Sequence, residues 1–440
     1  MEPLPIRVEE PHKPSWKLVR IRRHSHLLYD IGSIYGVQFA HYILPLITVP
    51  YLSRVLGPAS LGLLAMAQAF GMYGNLIVEY GFVYSGTRQI ATASSSEEIG
   101  RIVAGVSGAK ALLAAAVAAG AYAAYIFVPL FHQNALLLWS AVIAEIIKAG
   151  LPTYYFYGVK RVAVASLLDI SARTAAAAGI FVLVRKPDDA WRVFALQAAG
   201  AILAFIAGHV FIYSRYTMRL PRVGEGLRML REGGAMFLFR SAHSIYVLGN
   251  AFILGLFASP QAVGFYAGAE KINSGAVGLL SPLSTALYPR AAALVKSSMP
   301  KAARLTTISL CAMGAVSLSL ALVMWFGSEW IVRLVLGPRF QESSGVLKIL
   351  SLRAPLVAVT NVLGFQWLLA LGLETSFQKI TIIALVLNVL LAMCFAPKYT
   401  YSGMAWAVVI SQSAAVIGIW SVLRRRKLNP LVIAVGTSYV

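Results

Sequence analysis

VLGPASLGLLAMAQ (Val55–Gln68) and FASPQAVGFYAGAE (Phe257–Glu270) decide the fold. Set side by side, Pro58 meets Pro260, Gly62 meets Gly264, Ala65 meets Ala267, Ala67 meets Ala269 and Gln68 meets Glu270. The offset is constant. Each copy joins the first and second apolar blocks of a set of six. Six crossings return a chain to its starting side, so both copies run the same way. Two parallel halves related by an axis along the membrane normal follow, a plan used by alternating-access transporters.

The rest of the chain agrees with a membrane setting. Of 440 residues 58% are hydrophobic and only 12% charged, with a mean hydropathy of +0.72. A soluble domain carries about a quarter charged residues. The apolar residues fall in blocks of about 20, the length that spans a hydrocarbon core. Lipid offers no hydrogen bonds to backbone, so these blocks are helices. About twelve spans are expected, the first from about Ile31 and the last ending near Leu423. The expected fold is an all-α polytopic bundle with a basic tail (1–30), a six-helix lobe (31–214), a basic linker (215–234), a second lobe (235–423) and a basic tail (424–440).

The net charge of +21 would suggest nucleic acid in a soluble protein. Here Lys and Arg lie mainly between apolar blocks, which is a topology signal. With the N-terminus inside, inner segments hold roughly 24 Lys and Arg and outer ones roughly 7. Both termini are then cytoplasmic. The first 30 residues lack the apolar core of a signal peptide. Trp16–Ile21 reads as a basic tail or a short interfacial helix. Trp191, Trp325, Trp330 and Trp406 fall near outer span ends, as belt or packing residues. Cys311 and Cys394 lie in apolar spans and read as packing residues. No His/Cys cluster suggests a metal, and no cofactor is expected.

Charges inside spans cost about 2.5–3.5 kcal/mol each on an insertion scale, so most must face protein or water. Asp169 and Arg173 (i,i+4) and Glu145 and Lys148 (i,i+3) can pair along one helix. Lys110 can snorkel or pair. Glu79 and Lys348 lie near span ends. Arg240, Lys271 and Arg353 lack a partner on their own helix. Two readings stay open for them: cationic steps along a path, or buried ion pairs. Glu270 and Lys271 diverge by about 100° on a helix, so one can face a cavity while the other packs. His41 and His243 read as hydrogen-bonded packing residues or titrating groups. Pro45, Pro50, Pro152, Pro282 and Pro355 fall inside spans and are expected to bend them.

A family resemblance adds to this. ILPLITVPYLSRVLGPASLG (Ile43–Gly62) resembles the first-helix signature of the bacterial polysaccharide flippases, the oligosaccharidyl-lipid exporters of the multidrug/oligosaccharidyl-lipid/polysaccharide superfamily. EYGFVYSGTRQIA (Glu79–Ala91), VGFYAGAEKI, LYPR (Leu287–Arg290) and VLGPRFQESSGVLKIL (Val335–Leu350) resemble later family segments in the right order. The likeness runs from about Ile31 to Leu423. It implies a two-lobed bundle around a V-shaped cationic cavity. It implies that an undecaprenyl-diphosphate-linked oligosaccharide passes from the cytoplasmic to the periplasmic leaflet of the inner membrane, for O-antigen, capsule or exopolysaccharide assembly. Its partners are then that lipid-linked glycan, the bilayer and polysaccharide polymerase machinery. On matching positions the cationic cavity falls to Arg88, Arg240, Lys271 and Arg290, with Arg353 as a further candidate.

Arg forks and Lys ammoniums can replace the water around a diphosphate. No GxxxxGK[ST] loop is present, so the expected energy source is an ion gradient or the membrane potential. Glu79 and Glu270 are the candidates for coupling a proton or sodium ion. Three rival readings fit the residues less well. A cation-coupled drug antiporter would favour acidic residues inside, whereas basic ones dominate. A lipid II flippase usually has two more helices. A membrane enzyme needs acidic residues at one face, and the short Asp188-Asp189 loop is the only such outer doublet.

Overall fold

The computed structural model describes residues 16–216 and 223–435, with side chains from Leu44 onward apart from most of 235–248 and from 281, 282, 286 and 435. Among the described residues there is no strand. The chain runs as α1 (Trp16–Glu79), α2 (Phe82–Thr92), α3 (Ser96–Phe127), α4 (Pro129–Gln133), α5 (Ala135–Gly150), α6 (Thr153–Gly158), α7 (Val162–Leu183) and α8 (Ala190–Tyr213). The second half follows as α9 (Val223–Leu248), α10 (Asn250–Gly255), α11 (Pro260–Gly278), α12 (Ser281–Ser297), α13 (Met299–Phe326), α14 (Ser328–Val335), α15 (Ser343–Ser351), α16 (Arg353–Val359), α17 (Glu374–Arg425) and α18 (Pro430–Val435).

Eight helical stretches among the described residues are long and apolar enough to cross a membrane. Two of them contain a break. α1 breaks at Gly57 (φ 73°, ψ 176°) and α17 at Thr400 (φ 47°, ψ −127°). Beyond Thr400 the chain turns back on itself, bringing Gly403 onto the Phe395 carbonyl. The turns at Gly57, Val128, Pro187–Asp189, Ser259, Gly337 and Thr400 alternate in the chain with those at Ser94, Arg161, Ser214, Ser298 and Gly372. We name the faces accordingly the turn face and the basic face.

Proline acts unevenly. Pro152 separates α5 from α6, Pro282 follows the break between α11 and α12, and Pro355 lies in the first turn of α16. Pro45 and Pro50 bend nothing out of helical geometry, since Gly57 is the one non-helical residue in α1. Residues Thr360–Leu368 form a π-helix, a rare element that frequently marks functional sites.

The largest apolar core joins the halves. Leu52, Leu56, Leu61 and Leu64 pack in it with Val263, Phe265, Tyr266, Leu336 and Phe340. All of these lie near the turn face. Among the described residues, α2, α6 and α7 make no extensive contact with α12, α13 or α18. The halves therefore meet at the turn face and diverge toward the basic face, with α9 bridging them. Cys311 and Cys394 are exposed on their helices, which corrects the packing role expected for them.

Candidate functional site between the halves

The repeat is also a contact. Gly62 and Gly264 are buried, and each stands where the other copy's proline approaches. A Cβ on Gly62 would overlap the Pro260 carbonyl oxygen and lie 2.7 Å from the Gly264 nitrogen. A Cβ on Gly264 would overlap the Pro58 carbonyl oxygen and lie 2.7 Å from its carbon. The two copies thus cross reciprocally, at their first helical turns, with backbone against backbone.

A second reciprocal pair frames this crossing. Val55-Leu56-Gly57-Pro58 recurs as Val335-Leu336-Gly337-Pro338. Gly57 (φ 73°) and Gly337 (φ 93°, ψ 172°) share one backbone conformation, a region essentially restricted to glycine. Arg54 donates from Nη2 to the Leu334 carbonyl and from Nη1 to the Pro50 carbonyl at 3.1 Å, and it lies along Gly337. Arg339 in turn brings Nη1 to 3.8 Å from where a Gly57 Cβ would be. The repeated VLGP is the signal in the sequence for this second pair.

From the crossing, α11 leads into the space between the halves. Gly264 faces Pro58 and Gly275 faces Leu46 at 3.4 Å, while Gly268 faces Leu336 of its own half. Lys271 stands seven residues after Gly264 and four before Gly275, on the same helical face. It is exposed and pairs with no carboxylate among the described residues. Glu270 points away by about 100°; it is half-buried and its Oε1 accepts the Ser274 hydroxyl at 2.7 Å. Of the two neighbours, Lys271 faces the other half.

The other candidates are spread along the depth of the molecule. Arg353 opens α16, and its Nε is buried without a hydrogen-bond partner among the described residues. On neighbouring α11, Asn273 donates to the Leu350 carbonyl at 2.8 Å while its Oδ1 is likewise unpartnered. Arg88, on α2, and Arg290, on α12, are exposed near the basic face. None of these three arginines forms an ion pair among the described residues. The structure groups Lys271 and Arg353 by depth, and Arg88 and Arg290 by face, without bringing the four into contact. Arg240 lies in α9, with its side chain outside the described residues, as are those of His41 and His243. The start of α1 at Trp16 carries the proposed interfacial segment, whose side chains are also outside them.

Other intramembrane charges have local work. Arg173 Nε meets Asp169 at 2.8 Å and Lys148 meets Glu145 at 2.8 Å, with Gln197 also accepting from Lys148 at 2.7 Å. Lys348 meets Glu329 at 3.1 Å. Lys110 neither snorkels nor forms a tight ion pair. It is buried and donates to the Ala149 carbonyl at 2.6 Å and the Leu151 carbonyl at 3.2 Å. Those are the carbonyls at the break before Pro152, which cannot be satisfied within the helix. Glu79 is buried, within electrostatic reach of Lys110. Its carboxylate accepts Gly81 N at 3.1 Å and Val83 N at 2.9 Å, capping the start of α2. At the turn face Asp189 accepts Arg185 N (3.0 Å) and Lys186 N (3.2 Å) and pairs with Arg192 at 3.2 Å. The first of these bonds, then Arg192, hold its carboxyl below the usual range. The acid that a membrane enzyme would have needed there is a loop staple. No group of metal-ligating side chains occurs among the described residues.

Comparison with known proteins gives a consistent assignment. A model of the family described as polysaccharide biosynthesis protein matches residues 27–295. A protein of Escherichia coli (strain K12) named "Putative O-antigen transporter" is 29% identical over 398 residues, spanning 89% of this chain and 95% of the relative. One of the same name from Shigella dysenteriae is 28% identical over 390 residues, spanning 87% and 95%. The fold is similar to that of the lipid II flippase MurJ in an inward closed conformation (TM-score 0.69, 14% identity, 93% of this chain and 90% of that one). It is also similar to an inward-facing multidrug resistance MATE family transporter of the MOP superfamily (TM-score 0.63, 16% identity, 88% and 95%).

Proposed function

We propose that this chain, which belongs to the polysaccharide biosynthesis protein family, carries a lipid-linked oligosaccharide from one leaflet of a membrane to the other. The observation that carries this reading is Lys271. A cation with no carboxylate partner among the described residues stands on the inter-half face of α11, directly below a backbone crossing that closes one face. A cation kept in that place suits an anionic group moving between the halves, and a diphosphate fits it. The curated relatives are named O-antigen transporters, which supports both the choice of cargo and a transporter over an enzyme.

In this reading the cargo is an undecaprenyl-diphosphate-linked oligosaccharide for cell-surface polysaccharide. It enters from the basic face, which the excess of Lys and Arg makes cytoplasmic, in a bacterial inner membrane with both termini inside. Arg88 and Arg290 receive the diphosphate, with Arg240 as a further candidate; Lys271 and Arg353 hold it deeper. The polyprenyl tail stays in lipid. Parting of the crossing at the turn face, with closure below, completes the transfer to the periplasmic leaflet. We assign the energy to a proton or sodium gradient or to the membrane potential, at about 2.3 kcal/mol per charge per 100 mV. Glu270 is the better coupling candidate, because Glu79 is committed to capping α2. Polymerase machinery would take the product.

The test is transport by the full-length protein in proteoliposomes, with wild type beside Lys271→Ala and Lys271→Arg. Wild type should flip a lipid-diphosphate-linked oligosaccharide and leave organic cations untransported. Lys271→Ala should lose about tenfold in rate, the scale of one charge-assisted contact, and Lys271→Arg should keep most of it. Export of organic cations without flipping would favour the antiporter reading.

A further inference from the structure

Residues 426–435 fold back beyond the end of α17. The last turns of α17 place Trp420, Leu423 and Arg424 at i, i+3 and i+4, one helical face, and Lys427 follows just beyond the helix end. The chain then turns at Lys427 (φ 56°). Trp367 Nε1 donates to the Leu428 carbonyl at 2.9 Å and fixes the turn. Asn429 Oδ1 accepts Leu431 N at 3.0 Å, and α18 then lies against α13. The segment expected as a basic tail is thus a hook folded onto the second half. Between hook and helix lies a cleft of about 530 Å³, lined by Trp420, Leu423, Arg424, Lys427, Asn429 and Val432.

Its walls differ in chemistry. Arg424 and Lys427 are exposed, and no carboxylate pairs with any of Arg424, Arg425, Arg426 or Lys427 among the described residues. Residues 424–440 contain no Asp or Glu. Against this cationic wall stand Trp420, 41% exposed, and Val432, 66% exposed. The cleft sits where a membrane-crossing helix ends, the depth of lipid headgroups. Indoles prefer that depth, and clustered Lys and Arg there attract anionic lipids.

We propose that this cleft is a binding site for an anionic phospholipid. Arg424 and Lys427 hold its phosphate by charge-assisted hydrogen bonds, and the indole of Trp420 and the side chain of Val432 cover the first acyl carbons. A zwitterionic lipid carries its own ammonium, which the four adjacent cations repel. The site lies at the end of the last helix, and the proposal does not depend on what the protein transports.

The experiment is native mass spectrometry of the full-length protein titrated with phosphatidylglycerol or phosphatidylcholine. Wild type should retain phosphatidylglycerol and release phosphatidylcholine. Arg424→Gln/Lys427→Gln should lose about thirtyfold in phosphatidylglycerol affinity, the scale of two cations at a headgroup surface. Arg424→Lys/Lys427→Arg should retain it, and so should Arg101→Gln, an exposed cation elsewhere. If the double variant does not fold, the single variants should each lose about fivefold. Wild-type retention of phosphatidylglycerol by the Gln variants, or equal retention of phosphatidylcholine, would overturn the proposal. So would displacement by glycerol phosphate at the lipid's own concentration, because the apolar wall would then contribute nothing.

Discussion

Gly62 and Gly264 each fill the space that the other's side chain would need. Each lies against the carbonyl of the proline four residues before its counterpart. The crossing is therefore possible only with hydrogen at both positions. Gly62→Leu or Gly264→Val should force the halves apart at the turn face while leaving each half folded. We expect cysteines introduced at exposed Ala59 and Gln261 to react with a membrane-impermeant maleimide several-fold faster in either variant. Unchanged reactivity would mean that the crossing does not close the face.

Gly57 and Gly337 should tolerate substitution poorly for a different reason. Their positive φ and near-180° ψ cost a side-chain-bearing residue about 1–3 kcal/mol. Gly57→Ala and Gly337→Ala should each lower the melting temperature in detergent. Arg54→Ala should have a smaller effect on melting but should loosen the turn face, because it removes the bond to Leu334 that joins the halves.

Lys110 is a staple rather than a transport residue. Lys110→Met leaves the Ala149 and Leu151 carbonyls without their donor beside Pro152. A loss of about 2–3 kcal/mol is expected for such buried unpaired groups. Hydrogen exchange should rise locally over 149–158 and remain unchanged over α11. Uniform exchange along the chain would argue against a local role.

Asp189 predicts a pH dependence at the turn face. Its carboxyl is held below the usual range by the Arg185 amide and by Arg192. A depressed folded pKa contributes stability above the unfolded value of about 3.9 and loses it as pH falls through the folded value. Melting at pH 7 should exceed melting near pH 3, and Asp189→Asn should flatten part of that difference. The same slope in both proteins would place the acid sensitivity elsewhere.

Much of this was legible in the sequence. The Pro58/Pro260 and Gly62/Gly264 alignment gave two parallel halves, and helical spacing gave the Asp169–Arg173 and Glu145–Lys148 pairs. That the two repeats would pack on each other was not legible, because an alignment gives equivalence and not contact. The bonds of Lys110 and Glu79 to backbone groups freed by a break in a helix were not legible, because side-chain spacing does not reveal such groups. The choice between Glu270 and Lys271 needed Gly264 and Gly275 to be seen facing the first half. The Arg424–Lys427 run read as a tail because the bond from Trp367 to Leu428 links residues far apart in sequence.

The most direct test joins the closed face to transport. Cysteines at Ala59 and Gln261, with Cys311 and Cys394 replaced by serine, can be bridged by a short cleavable bis-maleimide in proteoliposomes. Flipping of a lipid-diphosphate-linked oligosaccharide should proceed in the unbridged protein, stop on bridging and return on cleavage. Continued flipping at the same rate in the fully bridged protein would contradict the account.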